Sequence, residues 1–289
     1  MRSGSREPIQ IEKASELGFC FGVRRALKIL KQAAVKHDQL CTLGPIVHNK
    51  RVISDLEKQG IHVLNDIVRA RGSAIVLSSH GVPPKLLEHI TARGLTIVDT
   101  TCPNVRRAQQ AARGLSQDGF SVIIYGEAAH PEVKGLLGWA GDSATAMLSP
   151  DELAGSKLPN KLGILSQTTQ SEAPFREFVK RITDLTFPGL WELRVVNTLC
   201  NETKKRQEAA LKLAHRNDMV IVVGGLNSAN TRHLAEICSP LVETHHIEQA
   251  SEIKKSWLRG KQRIGITAGA STPDTAIEEV IARLRLVQE

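Results

Sequence analysis

Three cysteines occupy the same kind of position in this sequence. Cys20 in GFCFGVRRALKIL, Cys102 in DTTCPNVRRAQQAA and Cys200 in TLCNETKKRQEAALKL each stand directly ahead of a helical pattern with basic residues in its first two turns. A helix N-terminus and neighbouring Lys or Arg favour a thiolate, and thiolates bind zinc, Cu(I) or iron–sulfur clusters. No C-x-x-C pair occurs, so spacing alone does not choose among these metals. For Cys20, flanked by Phe19 and Phe21, the role of a small buried hydrophobe fits as well. Cys41 in LCTLGPIV and Cys238 in HLAEICSPL fall in apolar periodic contexts and read as buried hydrophobes rather than ligands.

The elements that must position these thiols follow one recurring pattern, a short β-branched run, a polar exit and then an amphipathic helix. It appears as AIVLSSH then PPKLLEHITARG, TIVDTTC then PNVRRAQQAARGL, and SVIIYGEAAH then PEVKGLLGWAG. It continues as LGILSQTT then APFREFVKRITDL, LRVVNTLC then NETKKRQEAALKLAH, MVIVVGGLNSAN then TRHLAEIC, and RIGITAGAST then PDTAIEEVIARLRL. Strands alternating with helices predict βαβ units and mostly parallel sheets, an α/β fold. In such folds ligands gather where strands exit into helix N-termini. Those exits carry Ser79, His80, Thr101, Cys102, His130, Thr168, Thr169, Cys200, Asn227, Ser228, Asn230 and Ser271. Ser, Thr and Asn there are also ordinary helix caps; Cys and His are poorer ones, so their repetition asks for another reason. The cysteines lie about one small α/β unit apart, which predicts three similar lobes, each delivering one thiol.

Composition narrows the partners. The 289 residues carry a formal net charge of +8, and only 3% are aromatic, with a sequence pI near 9.4. The charge suits an anionic partner, a nucleic acid, a phosphorylated metabolite or an acidic electron carrier. Too few aromatic rings are present for base-stacking platforms, which argues against nucleic acid. The N-terminal MRSGSREPIQIEK is polar, and apolar runs such as MVIVV are far too short to cross a bilayer. An odd number of cysteines with no secretory context adds to an expectation of a cytoplasmic protein in a reducing compartment, with no membrane partner.

A further set of motifs carries a family resemblance. GFCFGV at Cys20, GPIVHN at His48, SSHGV at His80, DTTCPNV at Cys102, AHPEVKG at His130 and Glu132, and SQTT at Thr168 stand in order along the chain. TLCNETKKRQ at Cys200, GGLNSANT at Ser228 and Asn230, and GITAGASTPD at Ser271 complete the series. Together they resemble the 4-hydroxy-3-methylbut-2-enyl diphosphate reductase family, over about residues 16 to 285. That resemblance implies an oxidoreductase performing the last step of the methylerythritol phosphate route to isoprenoids. Its reaction is reductive dehydroxylation of the allylic diphosphate to isopentenyl and dimethylallyl diphosphates.

The resemblance also implies one [4Fe–4S] cluster per chain, held by Cys20, Cys102 and Cys200 at the centre of the three lobes. One iron is then left for substrate. His48, His80, His130, Thr168, Ser228, Asn230 and Ser271 are expected to bind the diphosphate substrate, with Glu132 as proton source and Thr168 and His130 placing or relaying that proton. Taken alone, Glu132 in HPEV is an ordinary acidic residue of a first helical turn. The lobes are expected at 15–100 (Cys20, His48, His80), 101–199 (Cys102, His130, Glu132, Thr168) and 200–289 (Cys200, Ser228, Asn230, Ser271). A small acidic ferredoxin or flavodoxin fits both the +8 charge and the family as electron donor. Three positions depart from the family pattern: Ala229 where a second serine is common, Ala129 in AAHPE where glycine is usual, and Glu202 close after Cys200. The alternative is a non-redox Cys₃ metal-binding or cluster-sensing protein on the same scaffold, for which Glu132, Thr168 and the diphosphate set have no use.

Overall fold

The computed structural model describes residues 8–37, 39–70, 72–153 and 159–288. Residues 1–7, part of the polar start of the chain, lie outside them. Among the described residues the chain divides into two compact units. One comprises residues 8–20, 48–52 and 201–288, the other residues 21–47 and 53–200.

The larger unit holds two four-stranded parallel sheets. Numbering strands in chain order, the first contains β2 (Leu40–Leu43), β3 (His62–Leu64), β4 (Ala74–Leu77) and β5 (Thr96–Asp99), in the order β3-β2-β4-β5. The second contains β6 (Ser121–Tyr125), β7 (Ala144–Met147), β8 (Lys161–Ser166) and β9 (Glu192–Val196), in the order β7-β6-β8-β9. The smaller unit holds a third parallel sheet of β1 (Gln10–Lys13), β10 (Met219–Val223), β11 (Glu243–Ile247) and β12 (Arg263–Ala268), in the order β1-β12-β10-β11. The helices are α1 (Phe21–Ala34), α2 (Lys50–Glu57), α3 (Pro84–Ala92), α4 (Pro103–Gln117), α5 (Pro131–Ala140), α6 (Glu172–Thr186), α7 (Asn201–Ala214), α8 (Ala229–Cys238) and α9 (Asp274–Gln288). The chain is thus an α/β protein of three lobes, as its alternating pattern predicts.

All three sheets follow one scheme. In the larger unit the second strand of each set lies outermost, then the first, the third and the fourth. In the third sheet β11, β10 and β12 take the first three places, and β1 takes the fourth, pairing Gln10 with Arg263 through Lys13 with Ile266. Each fourth strand is an edge, and each leads into a cysteine: β1 to Cys20, β5 to Cys102 and β9 to Cys200. The repeat is therefore cyclic. The strand delivering Cys20 precedes residue 15 and completes the sheet of residues 219–268, because β12 would otherwise present an open edge.

Burial follows the same logic. The central strands AIVL and MVIVV are buried at every position, whereas edge strands β1, β5 and β9 are only part-buried. Helices cover both faces of a sheet, so its inner strands need apolar side chains on both. Val220 and Val222 pack with Ala210 and Leu213 of α7, while Met219, Ile221 and Val223 pack with Ile277, Val280 and Leu284 of α9. In the second sheet Val122 and Ile124 meet α4 and α5, and Ile123 and Tyr125 meet Phe175 and Phe178 of α6. Among the described residues no helix is long and apolar enough to cross a membrane.

Candidate active site

In the larger unit, five strand exits are tied to one another by hydrogen bonds. Cys102 is the N-cap of α4, with an extended backbone and Pro103 at the first helical position. Its N–H donates to Ser79 O at 3.0 Å, placing the thiol beside the SSHGV exit. Cys200, directly ahead of α7, donates its N–H to Thr168 O at 2.9 Å. Asn104 donates from Nδ2 to Cys200 Sγ at 3.2 Å, linking the Cys102 and Cys200 turns.

Thr168 turns this framework towards a carboxyl group. Its N–H donates to Glu132 Oε1 at 2.6 Å and its Oγ1 to Glu132 Oε2 at 3.0 Å. Glu132 is only 1% exposed, and burial raises its pKa to about 7 against the opposing pull of the two Thr168 bonds. Because Oε1 already accepts a backbone N–H, the proton of the neutral acid belongs on Oε2, and on protonation the Oε2–Oγ1 bond reverses, with Oε2–H donating to the Thr168 hydroxyl oxygen. His130, the N-cap of α5, accepts the Glu132 N–H on Nδ1 at 3.2 Å. In the neutral ring that bond fixes the proton on Nε2, which becomes the donor. The rings of His130 and His80 meet edge to face with centroids 5.5 Å apart. Buried Gln167 sets the Thr168 turn, accepting the Glu127 N–H and donating to Thr169 Oγ1. Cys102, Cys200, His80, His130, Glu132 and Thr168 therefore converge within this unit.

The smaller unit assembles the other expected residues. Cys20 N–H donates to Ala270 O at 3.0 Å, and the neighbouring Ser271 donates from Oγ to His48 O at 3.2 Å. The GGLNSAN loop passes so close to His48 that a Cβ on Gly225 would stand 2.7 Å from its carbonyl oxygen. Gly224 has φ 146, and Thr272 and Thr231 occupy the space a side chain would need. Ser228 is the N-cap of α8, its Oγ accepting from Thr231 N–H at 3.4 Å. Its own hydroxyl proton is left to donate elsewhere. Asn230, 5% exposed, buries both Oδ1 and Nδ2 without a protein partner. An orphaned amide costs about 1–3 kcal/mol, which a ligand accepting from Nδ2 at the helix N-terminus would relieve. Ala229 is enclosed at 2% exposure.

Several readings gain detail here. The basic residues after each cysteine brace backbone ahead of a thiol. Arg25 donates to Thr101 O, Arg107 to Leu199 O, and buried Arg206 to Glu16 O and Ala268 O. Phe21, next to Cys20 in sequence, is 55% exposed. Gly18, at φ 77, owes its identity to Asp274, whose carboxylate stands where a Cβ would be. Cys238 is fully buried, which pushes its thiol up to about 11. Cys41 lies part-buried in β2. Asn104 and Arg206 are the positions that motif reading passed over. Their signal was available: Asn104 follows Cys102 by two residues, and Arg206 lies in the basic run after Cys200.

Residues 11–285 match the family described as LytB protein. The chain is 48% identical over 277 residues to a 4-hydroxy-3-methylbut-2-enyl diphosphate reductase of Dehalococcoides mccartyi strain CBDB1, covering 96% of this chain and 98% of that relative. It is 44% identical over 280 residues to the reductase of the same name from Geobacter sulfurreducens, covering 96% and 97%. A solved structure described as (E)-4-hydroxy-3-methyl-but-2-enyl diphosphate reductase, the terminal enzyme of the non-mevalonate pathway, superposes with a TM-score of 0.71 at 37% identity, covering 96% of this chain and 99% of that one. The E-1-hydroxy-2-methyl-but-2-enyl-4-diphosphate reductase of Plasmodium falciparum shares the fold, with a TM-score of 0.88 at 24% identity over 96% and 88% of the two chains. The chain belongs to the LytB protein family.

Proposed function

We propose that this protein is an iron–sulfur oxidoreductase that reduces 4-hydroxy-3-methylbut-2-enyl diphosphate to isopentenyl and dimethylallyl diphosphates. The observation that carries the proposal is Glu132, a buried carboxyl group with a pKa of about 7, coupled through Thr168 to the Cys200 turn. In the reaction the allylic C–O bond breaks, a C–H bond forms, two electrons and two protons enter, and water leaves. Family membership and the relatives' names support the same reading.

Cys20, Cys102 and Cys200 are the proposed ligands of one [4Fe–4S] cluster. None of the three is in a disulfide; each has its backbone N–H committed to a neighbouring strand exit, and Cys200 Sγ also has a side-chain donor in Asn104. The cluster, when bound, supplies the electrons and an iron position open to substrate. Glu132 holds the proton on Oε2 and donates it to Thr168 Oγ1, whose hydroxyl hydrogen passes on to the leaving oxygen of the substrate. His130 Nε2–H and His80 lie on the same side of the unit as donors for that oxygen or the diphosphate. In the smaller unit His48, Ser228, Asn230 and Ser271 are assigned to the diphosphate, with the N-terminal N–H groups of α8 adding their dipole. An acidic ferredoxin or flavodoxin as donor and a cytoplasmic location complete the proposal. Anaerobic turnover of the diphosphate with a chemical reductant tests it; a colourless, zinc-containing, inactive protein overturns it in favour of a structural or sensing metal site.

The orphaned amide gives a separate prediction. Asn230→Leu keeps the side-chain branching and removes two unsatisfied buried polar atoms, so the unliganded protein is expected to lose no stability and to gain up to about 1–2 kcal/mol in thermal melts. Affinity for the diphosphate is expected to fall roughly tenfold to a hundredfold in calorimetric titration, by the worth of a charge-assisted bond. Unchanged affinity would remove Asn230 from the diphosphate site.

A further inference from the structure

The side chain of Asn104 performs no cap and joins no core. Its Nδ2 reaches from the first turn of α4 to Cys200 Sγ at 3.2 Å. It belongs to the turn of one proposed ligand and bonds the sulfur of another. The two cysteines are almost a hundred residues apart in sequence, so the topology of sheets one and two has brought β5 and β9 exits within reach of one amide.

We infer that Asn104 is a positioning residue that sets the electron affinity of the cluster through an N–H···S bond to Cys200; this rests on the assignment of Cys200 as a cluster ligand. An amide N–H is a donor without charge. It therefore stabilises negative charge on the thiolate without competing for iron. Reduction adds an electron that is shared with the ligand sulfurs, so the bond strengthens in the reduced state and raises the potential. The same bond holds the Cys102 and Cys200 turns in register. Nearby cations do a different task, since Arg25 and Arg107 are spent on the carbonyls of Thr101 and Leu199.

The test is a potentiometric titration of anaerobically purified protein, read by cluster absorbance and electron paramagnetic resonance, with iron, sulfide and melting temperature measured alongside. Asn104→Ala is expected to keep wild-type iron and sulfide and to titrate at a more negative potential. At the poise that half-reduces the wild type, its ratio of reduced to oxidised cluster is expected to fall roughly threefold to tenfold. Asn104→Asp keeps the shape but replaces the donor with an acceptor, and is expected to titrate lower still. Full cluster content with an unmoved potential in both variants overturns the inference while leaving the proposed function standing. Loss of the cluster from both overturns it in favour of an assembly role. A wild-type protein without iron and sulfide overturns the function and the inference together.

Discussion

Glu132→Gln is expected to fold, load its cluster and bind the diphosphate, and to turn over roughly 10² to 10⁴-fold more slowly, the usual cost of removing a positioned acid. Glutamine retains an oxygen for the Thr168 N–H, which the wild type satisfies at 2.6 Å. Its amide can donate to Thr168 Oγ1 in place of the acid proton, so the local bonds survive. What it lacks is a proton to release. Single-turnover kinetics separate this loss from one of binding: KM changes little while kcat collapses. Wild-type turnover in this variant would remove Glu132 from the mechanism.

The same group gives the pH dependence its sign. Burial raises Glu132 from 4.5 to about 7, so the folded protein binds a proton there that the unfolded chain has released across that window. Its contribution to stability is complete below about pH 4.5 and is lost as pH rises through about 7, amounting to ~3 kcal/mol. Urea titrations of the unliganded protein are expected to show this decline, and the glutamine variant to lack it. Turnover falls in the same direction, because the acid must be protonated to act. A kcat profile that rises through pH 7 in parallel with deprotonation of Glu132 would contradict the assignment.

The lobes were legible because each pairs a β-branched run with an amphipathic helix, and interior strands such as MVIVV leave no polar face for solvent. The cysteine repeat was legible too, but not its closure. QIEK has the look of a polar start to the chain, and nothing local in it says that it will pair with a strand some 250 residues later. Parallel pairing at an edge is a long-range fact, fixed by what the rest of the sheet leaves open. Glu132 shows the other limit. HPEV carries the same propensities whether its carboxyl faces water or, as here, is buried against Thr168; only tertiary packing raises the pKa. Asn230 behaves alike, since the N2 position of a helix does not reveal that both amide atoms are enclosed.

Cys102→Ser and Cys41→Ser are expected to differ completely in iron content. Cys102 stands at the N-cap of α4 without a side-chain capping bond to the helix N–H groups, and serine at that place is a better cap, worth about 1 kcal/mol. The unliganded variant is therefore expected to melt no lower than the wild type, so any loss of iron reports ligation rather than misfolding. Disturbing a group that merely orients a metal ligand costs about 10 to 100-fold in metal affinity; replacing a ligand thiolate costs at least that, and most of the iron and sulfide is expected to be absent after anaerobic purification. Cys41 sits part-buried in β2, opposite His62 and Ile75, with no bond to any of the exits that converge on Thr168. Its serine variant keeps the cluster and loses only the modest packing of one sulfur. The pairing of the two variants discriminates because both make the same atomic change, sulfur to oxygen, at different places in the larger unit. Equal iron loss in both would mean that the three cysteines at the edge-strand exits are not the ligand set, and with them would go the reason for three edge strands ending at a thiol.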